Sequence, residues 1–186
     1  MYPTKMEGKN GHIYNINTDY RIALACFKAL NDTEITDLER FYAIETLLLG
    51  EDVLEEDEPI LKEKISNYLR CGKKENIEVE EKDFDYLQDE QEVKTSIRQC
   101  YNNLDIGKLE YLHWYEYNEL ISGLTNDSLI NKIRDLRNYD ISDIKDEKQK
   151  KKIIEAQQRV ALKEEHIKTD EEKEIDEFWN NIIGGE

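Results

Sequence analysis

Proline occurs only 2 times and glycine 8 times in 186 residues, too few for an all-β domain, which needs a turn signal about every 8–12 residues. Cysteine is equally sparse. Cys26, Cys71 and Cys100 stand alone with no C-x-x-C spacing, and an odd number of isolated thiols fits a reducing compartment better than a disulfide framework. All three read as small buried hydrophobes. Positive charge is in deficit, with 26 basic against 43 acidic residues and a net charge of -17. Such a chain repels phosphate backbones, so nucleic acid is excluded as a direct ligand and a protein partner is expected instead. Long apolar runs are missing too. No segment approaches the roughly 18 uncharged apolar residues of a membrane span. The opening Met1–Asn10, with Lys5, Glu7 and Lys9, has no apolar stretch of a signal peptide. A soluble, cytoplasmic protein without membrane contact is the expectation.

Catalytic signatures are also lacking. There is no Gly-rich phosphate loop, nucleophile elbow or paired-histidine zinc motif. Glu110-x-x-His113 has the spacing that places two ligands on one helical face in di-iron carboxylate bundles. Those bundles need a second copy, and neither His12 nor His166 has a glutamate three residues before it. The motif therefore reads as a histidine at a wet helix edge. Cys100 with His113 has no local signature of a nucleophile and its base. Lys148, Lys150, Lys151 and Lys152 form a basic island without interleaved aromatics, beside Asp146, Glu147 and Glu155, and read as a solvated helix face. The chain is expected to be no enzyme and to hold no cofactor or metal.

What the chain does have is helical periodicity. Thr18 or Asp19 caps a helix carrying Ile22, Leu24, Phe27 and Leu30, and Thr36 with Glu39 has capping-box spacing before a second helix that stops at Gly50. The acidic patch Glu51 to Glu58 leads to Pro59 in the first turn of a third helix ending at Gly72. Residues 11–17 fit a short strand or an extended lead-in, and Ile77–Val79 a brief extended piece. A fourth helix is expected over 87–101, an aromatic helix from about Lys108 to Ser122, and another from Asn126 or Asp127 with Leu129, Ile130, Ile133 and Leu136 as its stripe. Beyond Asp143 helix propensity stays high while apolar positions thin out, predicting a long exposed helix over about 145–168. The expected architecture is all-α: a compact multi-helix bundle over 1–142, then a charged helical arm with an acidic-aromatic tail over 143–186.

The densest aromatic pattern runs from Phe84-Asp85-Tyr86 through Ile97-x-x-x-Tyr101 and Leu104-Asp105 to Leu112-His113-Trp114-x-x-Tyr117 and Leu120-Ile121-x-Gly123-Leu124. Trp114 and its tyrosines fit either a core or a partner platform. Phe178 and Trp179, on an acidic background with Ile182 and Ile183, fit docking on their own bundle, a sister subunit or another protein. This order of residues resembles a family of tail assembly chaperones from phages and prophages of Gram-positive hosts, whose gene typically lies between those for the tail tube and the tape measure. Weaker similarity extends over 18–165, through Asp19-Tyr20-Arg21 and Leu47-Leu48-Leu49. The resemblance implies a helical, non-enzymatic protein that coats the long tape-measure protein until tail tube subunits replace it. Trp114, Tyr117, Phe178 and Trp179 are the candidate partner contacts, and the protein is expected to be a homo-oligomer in the cytoplasm of the bacterial host. The alternatives are a structural subunit retained in the tail and a small acidic regulatory protein.

Overall fold

The computed structural model describes residues 1–51, 53–73 and 82–163. Along the chain come strand β1 (Lys5–Glu7), a 3-10 turn at Lys9–Gly11, strand β2 (Ile13–Asn15), and helices α1 (Tyr20–Leu30), α2 (Asp37–Leu49) and α3 (Glu58–Leu69). Helix α4 (Glu90–Cys100), a second 3-10 turn at Ile106–Lys108, and helices α5 (Trp114–Ser122), α6 (Leu129–Arg137) and α7 (Glu147–Val160) follow. The fold is mostly helical, as the periodicity predicts, with one antiparallel pair of strands. The described residues fall into two compact units, one within 1–75 and the other within 76–163. The composition-based boundary at 142/143 lies inside the second unit, where α7 packs against α6.

In the first unit, β1 and β2 pair Met6 with Tyr14, the inward-facing residue of each strand. Of the two readings open for 11–17, the strand holds over 13–15. Its partner went unseen because three residues with one apolar side chain offer no alternation to detect. The helix signals are realised as read. Asp19 accepts the Arg21 N–H at the start of α1. Thr36 and Glu39 form the reciprocal capping box of α2, and Gly50 closes that helix at φ +66°. Pro59 sits in the first turn of α3.

The buried centre of this unit includes a carboxylate. Asp57 is fully buried, accepting a 2.8 Å hydrogen bond from the Tyr14 hydroxyl and another from the Lys9 backbone N–H in the hairpin turn. The Tyr14 hydroxyl in turn accepts from the Leu54 N–H at 3.2 Å. Gly8 makes room for this arrangement, since a Cβ there would overlap the Asp57 carboxylate carbon and both its oxygens. The hairpin turn is thus wrapped around a side chain from the turn before α3, which fixes the sheet on the helical layer.

In the second unit, α4 lays Val93 and Ile97 into the core, and Ser96 links it to α6 by accepting the Ile130 N–H at 2.9 Å. The ends of three segments meet at Arg137. Its guanidinium makes a two-pronged pair with the buried Asp89 at 2.7 and 2.8 Å, and also donates to the carbonyls of Asp83 and Val160 at 2.6 Å each. Three boundaries differ from the expected ones. The aromatic helix begins at Trp114, not Lys108, because Asp105 caps the turn at 106–108 and Leu109 leaves it extended. Helix α4 starts at Glu90 after turns at 86–89, and α6 starts at Leu129 after Ser128. The helix expected to run to 168 ends at Val160, because Ala161 turns out of helical geometry (ψ 137°) and 161–163 continue without helix, and the expected piece at Ile77–Val79 lies outside the described residues.

Candidate functional site

The motif residues scattered over 84–124 come together in the second unit as one aromatic cluster. Phe84 meets Tyr86 edge-on with ring centroids 5.0 Å apart, Tyr86 lies 5.2 Å from Trp114, and Trp114 stacks on Tyr117 at 5.7 Å. The Tyr86 hydroxyl donates to the Asn118 side-chain oxygen at 2.6 Å, and the Asn118 amide donates to the Trp114 carbonyl at 2.9 Å, which ties the entry segment to the first turns of α5. Asp85 sets the direction of that entry by accepting the Leu87 and Gln88 N–H groups. Burial pushes its carboxyl upward, but the Lys82 ammonium and those two amides outweigh it and hold the pKa below the usual range.

Gly123 belongs to the same construction. A Cβ there would overlap the Tyr101 hydroxyl, which donates to the Leu120 carbonyl at 2.9 Å. The Gly123 φ of -88° is open to any residue, so the glycine supplies space and not conformation. Tyr101 and Gly123, far apart in the motif, are one packing contact.

Of the four candidate partner contacts, Trp114 and Tyr117 are completely buried. Their rings belong to the core of the second unit. Phe178 and Trp179 lie outside the described residues. The Glu110-x-x-His113 spacing does not fall on a helix, because α5 begins one residue after His113. His113 is buried, not at a wet edge, and acts as the N-cap of α5: its Nδ1 accepts the Tyr115 N–H at 3.0 Å. Cys100 lies 3.5 Å from the Thr125 hydroxyl. Burial pushes the Cys26 thiol to about 12, which removes it as a thiolate nucleophile near neutral pH. Among the described residues, no group of three or more His, Cys, Asp or Glu is placed to hold a metal ion, and no helix is long and apolar enough to cross a membrane.

Glu45 on α2, in the first unit, is a polar group that sequence reading missed. It is 4% exposed, and its Oε1 has no hydrogen-bond partner. Burial, reinforced by the negative charge of Glu58 and opposed by Lys62, raises its carboxyl to about 7. Its position one turn after Phe41 and one turn before Leu49 was the only signal available, since nothing in a chain with 43 acidic residues distinguishes one of them.

A mostly helical bacteriophage protein is the class that fold and comparison define. A family model described as Bacteriophage Gp15 protein matches residues 5–162, and the chain belongs to that family. No curated protein and no solved structure matches it.

Proposed function

We propose that this phage protein is a tail assembly chaperone that binds the tape-measure protein and keeps it soluble during tail morphogenesis. It acts in the cytoplasm of the bacterial host as a homo-oligomer, without enzymatic activity or cofactor, and hands its client over to the tail tube protein. A tape-measure protein is a long helical chain whose bare apolar stripes aggregate, and several weak helix contacts hold such a client better than one tight site. The observation that carries the reading is helical apolar surface left uncovered in a phage-family chain. Leu38 and Tyr42, one turn apart on α2, are 50% and 46% exposed. The large negative charge and the resemblance of the 84–124 motif to tail assembly chaperones support the same reading.

Co-expression with the adjacent tape-measure gene, followed by size-exclusion chromatography with light scattering, tests it. The expected result is a soluble multi-subunit complex containing both chains. A tape measure equally soluble without this protein overturns the proposal. Stoichiometric recovery of this protein in purified particles would favour a structural subunit instead, because a chaperone is depleted from the finished tail.

A further inference from the structure

Every lysine and arginine from Lys82 to Arg137 sits on a carboxylate, from the exposed Lys132 on Asp127 to the buried Arg137 on Asp89. The pattern breaks at α7. Residues 145–163 hold seven basic and three acidic residues, yet none of those seven forms an ion pair among the described residues. The exposed outer face of α7 carries Lys148, Lys151, Lys152 and Arg159 against Glu147 and Glu155. Its cations are left to water.

The complementary surface lies in the first unit. Residues 51–58 carry six acidic residues and no basic one. Asp57 is turned inward to the hairpin, whereas Glu51, Glu55 and Glu56 stay exposed around Leu54, itself 47% exposed. Leu54 matches the methylene stems that lysines lay along an apolar neighbour. In a chain of net charge -17, two copies repel over most of their surfaces, so approach is favoured where a cationic face of one meets an anionic face of the other.

We propose that the outer face of α7 is a self-association surface and that its occupant is the 51–58 segment of a second copy. The two patches differ and each copy carries both, so the contact is head-to-tail and builds a ring or an open chain. Exposed ion pairs are individually weak, which makes the assembly sensitive to salt and quick to exchange. A row of copies repeats the exposed Leu38 and Tyr42 of α2, and repeated weak sites suit a long client. The inference deepens the chaperone reading and rests on it only for what the assembly is for.

Light scattering on the full chain alone tests the contact. In about 0.01 M salt, where the screening length is about 30 Å, the mean mass is expected to be at least about twice that of one chain, and it should fall to one chain at 1 M, where that length is about 3 Å. Reversing the basic face (Lys148→Glu, Lys151→Glu, Lys152→Glu) or the acidic segment (Glu51→Lys, Glu55→Lys, Glu56→Lys) should each weaken self-association at least about tenfold. An equal mixture of the two variants should recover it, because each supplies the charge that the other lacks, and that recovery rules out loss of fold as the cause. A single-chain mass at low salt, an assembly that persists at 1 M, or reversals without effect overturns the proposal. Loss on reversing α7 with the 51–58 reversal silent assigns the face to another acidic occupant and overturns it as well. No tape measure is present, so failure here leaves the co-expression test intact, and failure of that test leaves the contact between copies standing.

Discussion

Replacing Glu45 with glutamine should stabilise the first unit in a way that depends on pH. Its carboxyl is buried with one oxygen lacking a partner, and burial followed by the charge of Glu58 raises it from 4.5 to about 7. In the unfolded chain the group returns to the ordinary value. The native state therefore binds its proton more tightly, and stability is lost as pH rises from 4.5 through 7. The gap between those values, at about 1.4 kcal/mol per pH unit, amounts to a loss of about 3 kcal/mol once the pH passes 8. Glutamine carries no charge but leaves a buried amide to satisfy, at a cost of about 1 kcal/mol. Glu45→Gln should thus gain about 2 kcal/mol at pH 8 and nothing, or a slight loss, at pH 4.5. Urea unfolding followed by circular dichroism at four values between pH 4.5 and 8 measures the difference. A gain of the same size at every pH, or a loss at pH 8, refutes the argument.

Three further outcomes are expected. Gly8→Ala forces a methyl group into the Asp57 carboxylate and should cost about 1–3 kcal/mol, read as a lowered melting temperature; an unchanged transition would show that the hairpin turn shifts freely. Arg137→Ala leaves Asp89 buried and uncompensated and should cost about 3–5 kcal/mol. Adding Asp89→Asn should recover part of that loss, and no recovery would assign the effect to the carbonyl contacts at Asp83 and Val160. Trp114→Ala empties the centre of the aromatic cluster and should cost about 3–5 kcal/mol; thermal unfolding left unchanged would reject its place in the core.

Local signals were the legible part of the fold. Asp19, Thr36 with Glu39, Gly50 and Pro59 each act within a turn of their own position, so spacing alone announces them. Where a boundary depends on a distant or irregular contact, spacing misleads. The stretch from Lys108 to Leu112 has helix-compatible residues, yet the cap at Asp105 and the extended Leu109 send it another way. The aromatic motif was legible as a pattern but not as an arrangement, since periodicity carries no word on whether Trp114 faces core or solvent. Glu45 and Asp57 were invisible for a different reason. Both are buried carboxylates among 43 acidic residues, and only the positions of Tyr14, Gly8 and Glu58 single them out.

The carboxylate inside the hairpin turn has a consequence for the order in which the chain takes shape. Strands β1 and β2 are made before the residue that completes them, since the bond from Tyr14 reaches 43 positions ahead and that from Lys9 reaches 48. Two short strands alone are marginal in water, so the hairpin waits, unfinished, until the turn before α3 exists to complete it. A hairpin locked by a residue later in the chain pays closure entropy before its sheet gains anything. A chain interrupted before residue 57 therefore carries a hairpin with no means of closing, and a quality-control protease would find it there first.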